Sequence, residues 1–345
     1  MYLECAIGVL TDRAANYVKK QAEQVAKEKA ASEQKNEHIV LQKHRWVPVT
    51  LIDRKSISED TRIYTFALPD GKAVLGLGTG QHVQIGFHMK DRMLIRSYTP
   101  TRPILPAQVD ATQTLKDGGA KDDPSKRGLC DGDGTFDLTI KTYFPDEKQP
   151  GGAMSNILDC VEIGAEVELR GPTGEITYNG NGNFTIEGRE RHFDRVSLVL
   201  GGSGITPGYS LLARVLLTEG DASRLRVVDA NKTEKDILLR QELEDFQAKS
   251  GGQLEVTHVL SEPDDSWKGL RGFVTKEIFE KHLFEPSESS VVFLCGPPIM
   301  IQKAALPALK GKLPITLPSL FPIFLFCYFF VLPFCRRIGH ARNTD

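Results

Sequence analysis

RVSLVLGGSGITPGYSLLARVLL, running from Arg195 to Leu217, decides the fold of the second half of this chain. RVSLVL is a continuous apolar run, the pattern of a strand buried on both faces. YSLLARVLL repeats its apolar residues at helical spacing. Between them lies GGSGITP (Gly201 to Pro207), in the place where a doubly wound fold binds nucleotides. The turn departs from the full GxGxxG fingerprint because Pro207 stands where the last glycine would be. Proline is nevertheless well suited to the first turn of a helix, and Thr206 can offer a hydroxyl to a ligand.

The same rhythm continues outward from this stretch. RLRVVDA is followed by DILLRQELEDF, QLEVTHVL by VTKEIFEKHL, and SVVFLC by PPIMIQKAAL. Alternating strands and helices predict an α/β domain with a parallel sheet covered on both faces. CGPPIM (Cys295 to Met300) repeats the strand-to-helix turn and puts Cys295 at a strand's carboxyl end, where ligands of such sheets collect. Its plainer reading is a buried structural cysteine before a proline turn.

Before Arg195 the pattern differs. VPVTLIDRK, TRIYTFAL, QHVQIGF, MLIRSYT, FDLTIKTYF and AEVELRGP are short alternating runs separated by Gly, Pro and Asp, and predict an antiparallel β-barrel. The polar stretch Pro106 to Gly134 is an insertion whose composition cannot bury a core. RSYTP (Arg96 to Pro100) ends one strand. Arg96 can bond a pyrophosphate, Tyr98 can lie against a flat heteroaromatic ring, and Thr99 adds a short hydroxyl. Taken alone, the motif is more often an ordinary strand end. GGAMSN (Gly151 to Asn156) precedes apolar Ile157 and Leu158. A helix starting there would present free N–H groups and its dipole to a phosphate, with Ser155 alongside; the alternative is a plain helix-capping turn.

The bulk numbers agree with two domains of an ordinary globular protein: 345 residues, 40% hydrophobic, 26% charged. A net charge of -2 without a basic stripe argues against nucleic acid as a partner. The six cysteines have no zinc-like or framework spacing, which fits a reducing, cytoplasmic setting. The eight histidines form no metal or triad pattern, so no metal site is expected. MYLECAIGVLTDR lacks the layout of a signal peptide. The resulting division is 1–43 a charged tether, 44–182 the barrel, 190–310 the α/β domain and 311–345 an atypical hydrophobic tail.

Together the four motifs resemble the ferredoxin-NADP reductase-like flavin reductases, in particular cytochrome b5 reductase and the C-terminal module of nitrate reductase. GQHV, DLTIKTYF, RGPTGEITY, DANKTEKDILL and RGFVT extend the likeness from about Trp46 to Leu309. GGAMSNILDC and GGSGITPGY look most like the NADPH-dependent fungal nitrate reductases, since cytochrome b5 reductases usually carry Lys at Ala153 and Met at Gly208. AIGVLTDRA looks like the tail of a b5-type haem domain.

The resemblance implies FAD held by Arg96, Tyr98, Thr99, Gly152, Met154 and Ser155, with Lys141 and Tyr143 lining the flavin and nucleotide sites. It implies NAD(P)H on the turn of Gly201, Gly202 and Gly204, with Thr206 touching the flavin and Asp236 near the nucleotide. Cys295, followed by Gly296 and Pro297, would orient the nicotinamide; Cys295, Thr99 and Lys141 would be the catalytic group. It leans to NADPH, with Arg224, Arg226 and Lys232 as candidate partners of a 2′-phosphate. Electrons would leave for a b5-type haem domain. A stand-alone NADH-cytochrome b5 reductase, or an inactive remnant, is the alternative.

After Leu309 the likeness stops. The family continues to a last helix and strand ending in an aromatic residue that shields the flavin. Here Leu313 to Cys335 is nearly unbroken apolar sequence, longer than the roughly 20 residues that span a bilayer. Pro314, Pro318, Pro322 and Pro333 spoil it as a helix. A read-through tail, a membrane anchor and a buried segment are the three readings. The first would delete a strand of the sheet.

Overall fold

The computed structural model describes residues 39–102, 134–145, 147, 150–310 and 330–333. Most of the tether, the insertion and most of the apolar tail therefore lie outside the described residues.

The first half is a six-stranded antiparallel sheet. Its strands are β1 (Val47–Ser56), β2 (Thr61–Ala67), β3 (His82–His88), β4 (Met93–Tyr98), β5 (Thr135–Lys141) and β6 (Glu166–Thr173), in the order β4-β3-β6-β1-β2-β5. Alternation turns Leu51, Tyr64, Phe66, Ile85, Phe136, Leu138 and Leu169 into one buried core. The two outer strands approach each other through the segment after β4. There Thr101 N–H donates to the Asp137 carbonyl (3.0 Å) and Asp137 N–H to the Arg102 carbonyl (2.7 Å). The Arg102 guanidinium also grips the Asp137 carboxylate at 2.8 and 3.1 Å. Helix α1 (Ala153–Cys160) packs near β4, with Met154 and Leu158 in the core. Ile39 bridges to Val74 and Leu41 is buried, so the last residues assigned to the tether belong to the packed structure.

Between the halves stands a small antiparallel sheet of β7 (Ile176–Gly180), β8 (Asn183–Ile186) and β9 (Arg189–His192). The second half is built on β10 (Arg195–Gly201), β11 (Arg224–Asn231), β12 (Leu254–Leu260), β13 (Leu270–Arg271) and β14 (Ser290–Cys295), all parallel. One face is covered by α2 (Ile205–Leu216) and α3 (Arg240–Lys249). The other carries α4 (Lys276–His282) and the helical run from α5 (Pro298–Met300) through a π-turn (Ile301–Ala305) to α6 (Leu306–Lys310). The order is β13-β12-β11-β10-β14-β15, where β15 (Phe330–Pro333) pairs antiparallel with β14. Of the three readings of the tail, a read-through segment would leave this edge of the sheet bare. The tail's own residues pair there instead, because the apolar β14 offers a full ladder of backbone groups.

Candidate active site at the junction of the two halves

GGAMSN folds onto Tyr143. Gly152 N–H donates to the Tyr143 carbonyl (2.7 Å), and Asn156 Nδ2 donates to the same oxygen (2.8 Å). The Ser155 hydroxyl donates to Gly152 O (3.1 Å) and accepts from Tyr143 N–H (3.3 Å). Gly151 takes a φ of +77°, and a Cβ there would stand 2.6 Å from the Tyr143 carbonyl oxygen, so glycine lets this turn close. No side chain caps α1, so its first N–H groups remain for an anion. Met154 is buried in the core, which leaves its backbone rather than its side chain for a ligand. Arg96 and Tyr98 lie half-buried on β4, Thr99 follows them buried, and Tyr143 is exposed on one side. Those residues fit a flavin dinucleotide: an uncapped helix start and Arg96 for the pyrophosphate, Tyr98 and Tyr143 for the ring.

Across the junction, the turn after β10 packs backbone to backbone against the turn after β14. A Cβ on Gly204 would lie 2.4 Å from the Cys295 carbonyl oxygen. Gly201 and Gly296 also approach, with a Cβ on Gly296 standing 3.0 Å from Gly201 N. Thr206 is buried in the first turn of α2 and donates to Ser203 O (3.2 Å). Cys295 is buried at the end of β14, with Gly296 beside it and Pro297 exposed. The Gly202–Gly204 turn touches β5 of the first half. Lys141, the last residue of β5, places its ammonium 2.5 Å from Asp236 Oδ1 and 2.9 Å from Asp60 Oδ2. Burial would lower the Lys141 pKa, but hydrogen bonds to Asp236 and Asp60 outweigh it and hold it above the ordinary value. Burial would likewise raise both carboxylates; the hydrogen bond from Lys141 leads the opposing contacts, and each is held low.

Residues 48–107 and 126–178 match the oxidoreductase FAD-binding domain family, and residues 198–305 the oxidoreductase NAD-binding domain family. The chain is 30% identical to the cytochrome b5 reductase domain of Ulva prolifera nitrate reductase, with a TM-score of 0.69 over 79% of this chain and 95% of that one. The chain belongs to the nitrate reductase-type cytochrome b5 reductases. This reductase is also 36% identical to the NADH nitrate reductase 1 of Oryza sativa over 76% of its own length, and spans 27% of that relative. The NAD+ form of the CS-b5R domains of human Ncb5or shares the fold at 22% identity and a TM-score of 0.58. It is thus an FAD- and NAD-binding oxidoreductase, a barrel followed by a parallel α/β domain.

In the reductase, GGAMSN folds onto Tyr143 in the first half, GGSGITP packs against CGPPIM in the second, and Lys141, two residues before Tyr143, reaches Asp236 across the halves. Arg224 and Arg226 lie elsewhere. They begin β11 at its amino end, where both stack on Phe284, while the nucleotide turns lie at the carboxyl ends. Only Lys232 follows β11 at the ligand end, and it pairs with Glu262 (3.5 Å). Asp60 was not singled out from sequence, since a turn carboxylate gives no signal until Lys141 is folded beside it. His82 was also missed; burial pushes its imidazole down to about 4. Among the described residues no cluster of His, Cys, Asp and Glu could hold a metal ion, and no helix is long and apolar enough to cross a membrane.

Proposed function

We propose that this chain is the flavin-reducing unit of an electron-transfer enzyme, taking hydride from NAD(P)H and passing electrons singly to a b5-type haem domain. FAD, when bound, supplies the conversion from a two-electron donor to a one-electron acceptor. Arg96 and the start of α1 bind its pyrophosphate, and Tyr98 with Thr99 orient the ring. Gly201, Gly202 and Gly204 let the nucleotide approach the backbone, while Cys295 and Thr206 fix the nicotinamide side of the junction. Asp236 and Lys141 line the nucleotide's path. The observation that carries this reading is the approach of the Gly202–Gly204 turn to β5, which brings the turn proposed for the nucleotide beside the strand that ends in Lys141. Positioning of that kind is worth several kcal/mol in a transfer reaction.

The scattered cysteines support a cytoplasmic setting. The names of the plant relatives support nitrate assimilation as the context, with the haem and later steps carried outside residues 39–310. The test is the absorbance spectrum of the purified protein loaded with FAD, before and after anaerobic NADH or NADPH. Bleaching of the flavin bands, followed by reduction of added cytochrome b5, is the expected result. Flavin bands that persist with both nucleotides would refute the proposal.

A further inference from the structure

The ammonium of Lys141 is shared by two carboxylates that come from different halves of the molecule. Asp60 sits in the bend just before β2, in the same half as Lys141. Thr61 faces Lys141 across the β2–β5 pair, and Thr142 N–H donates to the Asp60 carbonyl at 2.6 Å. Asp236 sits on the short 3-10 turn Glu234–Asp236 that follows β11, in the nucleotide half. Each carboxylate gives one oxygen to Lys141 and has the other engaged locally. Asp60 Oδ1 accepts from the Ser58 and Thr61 hydroxyls at 3.0 Å each. Asp236 Oδ2 accepts from Thr233 N–H (2.9 Å) and the Thr233 hydroxyl (2.7 Å).

We propose that Asp60 is a positioning residue that keeps Lys141 at the junction, and that Asp236 is its exchangeable partner, displaced when the phosphate of a nicotinamide nucleotide takes the ammonium. The inference rests on the function proposed above and assigns the two carboxylates opposite roles in it. One cation between two anions carries a net negative charge, so the cluster repels a phosphate until one carboxylate withdraws. The Asp60 backbone is fixed beside Lys141 by the Thr61–Lys141 pairing and the Thr142 bond, so the two stay together. Asp236 comes from the other half, and its Oδ2 keeps the Thr233 partners when Oδ1 releases the ammonium. All three side chains are partly shielded from water, at 17% exposure for Lys141, 24% for Asp236 and 35% for Asp60. Their mutual fields are therefore screened less than those of surface ions.

The measurement is isothermal titration calorimetry of the FAD-loaded full chain with NAD+ and NADP+. Asp236→Asn removes the competitor and is expected to tighten binding by about fivefold, whereas Asp60→Asn loosens Lys141 and weakens binding by a similar factor. Lys141→Met should weaken binding and abolish both effects in the double variants. Weaker binding by Asp236→Asn would overturn the exchange, since Asp236 would then itself hold the nucleotide. An Asp60→Asn effect that survives in the Lys141→Met background would overturn the positioning role. Hydrogen exchange of the ligand-free protein separates this from a failure of the proposed function. Lys141→Met should speed exchange of the Thr142 and Asp236 amides, and unchanged rates would refute the cluster even in a chain that binds no nucleotide.

Discussion

Substituting Gly204 by alanine tests whether the close approach of the turns after β10 and β14 depends on the absence of a side chain. The new Cβ would stand 2.4 Å from the Cys295 carbonyl oxygen, 2.6 Å from its carbon and 2.8 Å from Gly296 N, all backbone atoms. Ordinary contact begins near 3.4 Å, so one turn must retreat by about 1 Å. Such overpacking costs about 1–3 kcal/mol. A displacement of about 1 Å at a reacting junction can slow transfer by about 100-fold. Gly208→Ala is the control. Its Cβ meets Leu200 Cδ1, the end of a side chain that can change rotamer. That adjustment, about 0.5–1.5 kcal/mol, is offset by the better helix propensity of alanine. The assay is urea unfolding in a Trp46→Phe background, so that Trp267 reports the α/β half, combined with anaerobic stopped-flow reduction of the flavin. Gly204→Ala should lose stability and rate while Gly208→Ala stays near the parent. Equal behaviour of the two variants would refute the close-approach argument.

His82 should make the protein acid-sensitive. Its pKa falls from about 6.5 unfolded to about 4 folded, so the folded state binds fewer protons between those values. Stability is full above about pH 6.5 and drops by about 2–3 kcal/mol as the pH falls to 4; a His82→Gln variant should flatten that slope in urea titrations. Arg102→Ala strips the partner from half-buried Asp137 and should cost about 1–3 kcal/mol, read by the same unfolding assay. Arg96→Ala should release FAD on dialysis, and full flavin occupancy would remove Arg96 from the site.

The strands and helices were legible because their periods are local. RVSLVL and VPVTLIDRK each carry their burial pattern within a few residues. What stayed hidden depends on partners far along the chain. RERH is exposed along its whole length, carries no apolar alternation, and becomes β9 only because β8 pairs with it. ILL before α3 reads as helix, yet Leu239 takes a left-handed conformation there. The bond of Lys141 to Asp236 joins residues 95 apart. Tyr178 donates to Asp221 at 2.6 Å, and Ser223 Oγ lies 2.9 Å from its oxygen, fastening the small sheet to the start of β11. Arg224 and Arg226 misled for a related reason: a sequence shows that a strand holds a cation, but not which end of the sheet the ligand visits.

The pairing of β15 with β14 bears on how this polypeptide survives synthesis. β14 is SVVFLC, buried throughout, with β10 on one side. Without β15 its other side would be an apolar row of unsatisfied amides and carbonyls, a template on which a second nascent chain can crystallise strand by strand. Until residues 330–333 emerge from the ribosome, that template is open. Covering that edge is thus left to the strand of this sheet that is made last, and removing it would convert a folding problem into a concentration-dependent one.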